Sequence, residues 1–151
     1  MKKFSSILLL FLLSVVFTAC QRTQYTDQNG NPVDLDHHPG KWLVINYWAP
    51  WCEPCKKELP EMNHFYLTHQ NHVLVYGVDY DHPSVAQLQA LGKKLGLDYP
   101  LLAKDPAKKL KIGDVQGLPV TYVYNPEGKL VKTLVGPQKS SNLEAIINSG
   151  N

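Results

Sequence analysis

The chain has 151 residues, a formal net charge of +2 and three cysteines, which fits one domain and excludes a multidomain machine. So small a charge, with no basic stripe interleaved with aromatics, argues against a nucleic-acid partner. At 44% hydrophobic and 10% aromatic residues the chain is globular rather than disordered, and three cysteines are too few for a disulfide-dense scaffold.

Residues 1–19 read as a signal peptide. Lys2 and Lys3 give a positive start, and Ile7 to Phe17 form an apolar run that is short for a permanent membrane span. The segment ends Phe17-Thr18-Ala19-Cys20. Small residues before a cysteine resemble the bacterial lipobox, although Phe17 stands where Leu is usual. Cys20 is then the lipidated first residue of a tether over 20–24, and acyl chains would hold the domain on a membrane. Ordinary cleavage after Ala19, or an uncleaved signal anchor, are the alternatives. Without residues 1–19, 132 residues remain with 13 basic and 13 acidic side chains, so the basicity belonged to the signal.

Residues 25–151 alternate strands and helices. Asp27 to Pro32 is turn chemistry and predicts a small hairpin over 25–35. Lys41 to Trp48 is a near-continuous apolar run rich in β-formers, the pattern of a central strand covered on both faces. A helix follows to about His69, interrupted in pattern by Pro60, which predicts a kink. Val73 to Asp79 is a second buried strand. Ser84 can cap a helix to Leu95 with Val85, Leu88, Leu91 and Leu95 as its apolar stripe. Asp105-Pro106 starts a short helix to about Ile112. Val120–Tyr124 and Lys129–Val135 flank a turn and predict a hairpin, and Ser140 or Ser141 can cap a last helix to Asn148. The order gives an α/β fold, a mixed central sheet flanked by helices.

The chemistry gathers at residues 48–55. Cys52 and Cys55 form a Cys-x-x-Cys pair after a buried strand and at the start of a helix. Cys52 falls near the N-cap, where free N–H groups and the positive helix end favour a thiolate. Pro54 stands in the first turn, where its missing N–H matters little. Glu53 lies between the cysteines and its charge opposes a thiolate. Trp51 reads as a docking rim and Trp48 as core. A structural zinc site wants four ligands, yet there is no second Cys-x-x-Cys, and His64 and His69 are five apart on different helix faces. No metal and no cofactor is expected.

The run Asn46-Tyr-Trp-Ala-Pro-Trp-Cys-Glu-Pro-Cys-Lys-Lys-Glu-Leu-Pro60 closely resembles the active-site segment of the TlpA/ResA/DsbE (CcmG) branch of thioredoxin-like proteins. Gly117-Leu-Pro-Val-Thr-Tyr-Val-Tyr-Asn-Pro-Glu-Gly128 resembles that family's cis-proline loop and hairpin. The resemblance spans about residues 25–148. It implies a thioredoxin fold with an N-terminal β-hairpin and a βα insertion, with Pro119 cis and facing the cysteines. The backbone of Leu118 would then pair with an extended substrate, as in strand addition. The substrate-contacting set is thus Trp51, Pro54, Leu118 and Pro119. Thioredoxin itself has a buried Asp where this chain has Asn46, so Cys55 needs another proton acceptor. Asp79 and Asp81 are candidates, although a turn or surface role fits either, and with Asn46 and Glu53 they form the set that tunes the dithiol.

The resemblance favours a reductase of protein disulfides, with apocytochrome c thiols as a typical substrate and a membrane electron donor of the DsbD or CcdA type. A monomer on the extracytoplasmic or periplasmic membrane face is expected. A thiol oxidase is the alternative within the same chemistry. A thioredoxin-like copper chaperone and a purely structural binding module are the alternatives outside it.

Overall fold

The computed structural model describes residues 25–36 and 38–150, so the expected signal, Cys20 and the tether lie outside the described residues. Turn chemistry sets the first element. Asp27 Oδ1 accepts from the N–H groups of Asn29 (2.8 Å) and Asn31 (2.9 Å), which closes the hairpin of β1 (Tyr25–Thr26) and β2 (Pro32–Val33).

The apolar run becomes β3 (Trp42–Trp48), all seven residues of which are buried. β3 pairs in parallel with β4 (Val73–Asp79) and antiparallel with β5 (Val120–Tyr124), and β5 pairs antiparallel with β6 (Leu130–Val135). The sheet order is β4-β3-β5-β6. Alternation along β3 divides the core into two layers. Trp42, Val44 and Trp48 pack with Cys55, Leu59, Met62 and Phe65 of α1 (Glu53–His69), Leu88 of α2 (Val85–Leu95), and Leu143 and Ile147 of α4 (Ser140–Ser149). Leu43, Ile45 and Tyr47 face the other way, against Tyr25 and Val33 of the hairpin, Tyr122 and Tyr124 of β5, and Leu110 of α3 (Ala107–Leu110). Burying each large apolar side chain in these layers is worth roughly 1.5–3 kcal/mol. No helix of the described residues is long and apolar enough to cross a membrane.

The expected βα insertion consists of α2 followed by bridging residues rather than a full strand. Leu101 bridges Gly77 of β4 in parallel, and Leu102 bridges Asp27 of the hairpin turn. Gly77 is required here by space. A Cβ at that position would sit 2.6 Å from Leu101 Cδ2, 2.9 Å from Tyr99 Cε2 and 3.0 Å from Trp48 Nε1.

Local expectations hold with three differences. α2 has its capping box, Ser84 with Gln87, and ends on Gly96 in the left-handed region (φ +64°). Within its stripe Leu88 is fully buried, Leu91 and Leu95 are half-buried, and Val85 is exposed. α3 stops at Leu110, short of Ile112, because Lys111 turns left-handed (φ +54°). α1 reaches His69 as expected, with Pro60 inside it. The start of α4 is not capped by Ser140 or Ser141. Lys139 is the N-cap, and the Ser140 N–H donates instead to Glu61 Oε2 of α1 at 2.9 Å.

Candidate active site

Strand β3 delivers the chain to a tight turn, and the turn starts α1 on a cysteine. Cys52 has extended backbone (φ −80°, ψ 103°) and is the N-cap, its Sγ accepting from the Cys55 N–H at 3.2 Å. Pro54 lies in the first turn as expected. Cys52 and Cys55 are joined as a disulfide with their Cα atoms 5.3 Å apart. The two sulfurs are not equivalent. Cys52 lines a groove of about 480 Å³, whereas Cys55 is fully buried and takes no part in its wall.

Trp51, Glu53 and Pro54 line that groove together with Tyr80, Gly117 and Leu118. Trp51 is 63% exposed, yet it is held: its indole N–H donates to both carboxylate oxygens of Asp81, at 2.9 and 3.1 Å. The Leu118–Pro119 peptide is cis. Glu53 meets Lys56 at 3.2 Å in an exposed pair, so water and the lysine both weaken its effect on the sulfurs. Tyr80 was not anticipated. It directly follows β4, where its N–H donates to the Trp48 carbonyl, and an aromatic just past a strand end was the available signal.

Behind the sulfurs the arrangement is different. Glu58, one helical turn after Cys55, is buried with it under the sheet. Its Oε2 accepts from Asn46 Nδ2 at 2.9 Å and its Oε1 from the Gln138 N–H at 2.9 Å. Asn46 Nδ2 also donates to Thr121 Oγ1 at 3.0 Å. Burial raises the Glu58 carboxyl from 4.5 to about 6, against the lowering effect of the two hydrogen bonds. Asn46 thus orients the acid instead of replacing it.

The two aspartates named from the sequence stand elsewhere. Asp79 Oδ1 accepts from the Asp81 N–H at 2.9 Å, closing the turn after β4. Burial raises its carboxyl, but it lines a separate cavity of about 270 Å³ with His82 and Asp105, one whose walls include neither cysteine. Asp81 is the partner of Trp51. Glu58 was missed as a site residue, although its spacing of three from Cys55 placed it on the same helical face.

The site can therefore exchange two electrons between a buried dithiol and a disulfide that enters through the Cys52 groove. A buried acid, Glu58, stands one helical turn from the inner cysteine. Among the described residues no group of three His, Cys, Asp or Glu side chains is placed to hold a metal ion.

The profile of the AhpC/TSA family matches residues 16–133. Thiol-disulfide oxidoreductase ResA of Bacillus subtilis is 33% identical over 123 residues, covering 81% of this chain and 68% of that protein. Its counterpart from Geobacillus kaustophilus is 26% identical over 125 residues, 82% of this chain and 71% of that protein. Among solved structures, StoA from Bacillus subtilis superposes with a TM-score of 0.68 at 24% identity, over 81% of this chain and 92% of that one. The pneumococcal exposed lipoprotein thioredoxin from Streptococcus pneumoniae gives 0.66 at 25% identity, over 83% and 97%. The fold is thioredoxin-like, as the sequence resemblance implied.

Proposed function

We propose, for a chain that belongs to the AhpC/TSA family and is a thiol-disulfide oxidoreductase of the ResA type, that its dithiol runs in the reducing direction. The Cys52 thiolate attacks one sulfur of a substrate disulfide, and the substrate's other sulfur leaves as a thiolate and takes a proton. Cys55 then gives its proton to the Glu58 carboxylate and attacks Cys52 Sγ. The second substrate thiolate is released and protonated, and the protein is left with the Cys52–Cys55 bond. Two electrons have passed from the dithiol to the substrate. A membrane electron donor of the DsbD or CcdA type restores the dithiol, and apocytochrome c thiols are a fitting substrate class.

The observation that carries this reading is the asymmetry of the pair. Cys52 opens on a groove and holds the N-cap, where a thiolate is favoured, while Cys55 is sealed in one helical turn from a buried carboxyl raised to about 6. Gly117 and Leu118 offer the groove a backbone edge, and Trp51, Pro54 and Tyr80 offer apolar contact, a fit to an extended peptide. The buried acid behind the pair, Glu58, disfavours the very stable thiolate that a strong oxidant needs, with the Lys56-paired Glu53 adding little, which supports reduction over oxidation.

The same reading places the domain outside the cytoplasm, behind a cleaved signal over 1–19 and on a membrane through Cys20. One solved relative is described as an exposed lipoprotein, which supports the anchor.

Thiol trapping in the native cells tests the direction. The pair is expected mostly reduced at steady state, and a mostly oxidised pair contradicts the reductase. For the anchor, Cys20→Ala is expected to leave the membrane fraction or to block maturation. Unchanged membrane partition rules out lipidation there.

A further inference from the structure

Three side-chain atoms in the interior behind Cys55 are fully buried and have no hydrogen-bond partner in the protein: Asn46 Oδ1, Trp48 Nε1 and Tyr99 Oη. An unsatisfied buried polar group costs about 1–3 kcal/mol, so three in one place call for a common explanation.

They do lie in one place. Asn46 is the register partner of Gly77 across β3 and β4, and Trp48 Nε1 and Tyr99 Cε2 press on the same point above Gly77. Cε2 is the ring carbon next to the one that carries the hydroxyl, so Tyr99 Oη is close to that point as well. The other end of the Asn46 amide is already bonded to Glu58 at 2.9 Å, which brings Oδ1 beside the carboxylate. Only a residue without a Cβ lets Trp48 and Tyr99 come this close to the strand backbone beside Asn46.

The bonding capacities match one molecule. The indole N–H can only donate, the amide oxygen can only accept, and the phenol can donate. A water accepts two hydrogen bonds and donates two. Accepting from Trp48 and Tyr99 and donating to Asn46 uses three of the four, and one O–H is left for the neighbouring acid. We propose that Tyr99 is a positioning residue for the thiol–disulfide exchange: with Trp48 and Asn46 it holds an internal water that donates to Glu58 and lowers the proton affinity of that carboxyl.

This rests on the reading of Glu58 as the proton acceptor for Cys55. The titratable groups around Glu58 are Cys55 and Glu61, each one turn away on its own helix, and Tyr99 from the segment after α2; Glu61 is turned to the Ser140 N–H, and β3, β5 and the loop before α4 present to Glu58 the neutral Asn46, Thr121 and Gln138. Burial, and next the Glu58 charge, hold the Tyr99 phenol far above its ordinary value, so Tyr99 stays a donor at every working pH. Without its hydroxyl the water loses a donor and gives a weaker bond to the Glu58 anion. The carboxyl should then keep its proton to higher pH.

Tyr99→Phe tests this, since the ring and its packing remain. Carbon-13 NMR of the Glu58 carboxyl should show its titration raised by about half a pH unit or more relative to the unmodified protein. The rate at which Cys55 resolves a mixed disulfide on Cys52 should fall ~3-fold at pH values below that titration. The Trp48 indole proton should show exchange-type contact with a long-lived water in the unmodified protein. An unmoved Glu58 titration in Tyr99→Phe overturns the proposal, as does a Trp48 indole proton with no water contact. Glu58→Gln separates the two levels. If the pH inflection of the resolving rate persists in that variant, the assignment of Glu58 as acceptor fails, while the Tyr99 effect on the Glu58 carboxyl is still read directly by NMR.

Discussion

Trp48 and Trp51 stand three residues apart, one closing β3 and one before the N-cap of α1, and their surroundings are reversed from what burial alone suggests. The exposed indole is tied down, with Asp81 accepting from its N–H. The fully buried indole has an N–H with no protein acceptor and leans on Gly77 beside Tyr99. The contrast fits a division of labour across the dithiol. On the Trp51 side a peptide chain must arrive and leave, so apolar surface is kept in water and steadied by a carboxylate. On the Trp48 side only protons need to move, and the polar atoms of Asn46, Trp48 and Tyr99 collect around one acid, Glu58.

The contrast can be broken from either side, and the cysteines give the largest effect. Cys52→Ser should abolish turnover, while Cys55→Ser should accumulate mixed disulfides through Cys52, visible on non-reducing gels and identified by mass spectrometry. Equal trapping by Cys52→Ser would reverse the assignment of the two sulfurs.

Filling the inner side comes next. In Gly77→Ala the new Cβ would meet Leu101, Tyr99 and Trp48 at 3.0 Å or less. Overpacking of that kind costs roughly 1–3 kcal/mol, readable in urea unfolding. A variant as stable as the parent would mean that these side chains move aside freely.

Glu58 gives a pH-dependent effect of similar size. Its folded carboxyl titrates at about 6 against an ordinary 4.5, so the folded state holds the proton more tightly. The stabilisation is full below 4.5 and is lost as pH rises through 6, about 2 kcal/mol in all by neutral pH. Glu58→Gln should remove that slope from the oxidised protein. A slope that survives in the variant would trace to another group.

The smallest effect belongs to the outer side. Asp81→Asn leaves Trp51 with a neutral acceptor at an exposed site, so stability should fall by less than about 1 kcal/mol. Trp51 fluorescence should still report a more mobile ring, and an unchanged anisotropy decay would show that Asp81 does not hold it.

Much of the fold is legible in the sequence alone. The unbroken apolar run at Trp42–Trp48 announced a strand buried on both faces, and Ser84 with Gln87 announced the start of α2. The pairing of the cysteines followed from their position at a strand-to-helix turn. The cis bond before Pro119 came from family resemblance rather than from its own residues. Glu58 was hidden because Lys56-Lys57-Glu58 reads as a solvated helix face. Its burial depends on Asn46, twelve residues earlier, and Gln138, eighty residues later. The start of α4 failed for the same reason, since its partner Glu61 lies 79 residues away in the chain. Local patterns predict elements and caps; they carry no information on which distant polar group will meet a buried one. Asp79 and Asp81 show the converse. They sat at the right strand end, and only the pairing of that turn revealed one as a loop brace and the other as the anchor of Trp51.

The proposed exchange depends most on the inner sulfur losing its proton to Glu58. The measurement that reaches this directly is the single-turnover rate at which Cys55 resolves a mixed disulfide preformed on Cys52, followed as a function of pH. In the unmodified protein the rate should rise with pH through an inflection near 6, where Glu58 becomes a base. In Glu58→Gln that inflection should vanish and the rate above it should fall by about 100-fold. An inflection and rate unchanged in Glu58→Gln would contradict the account.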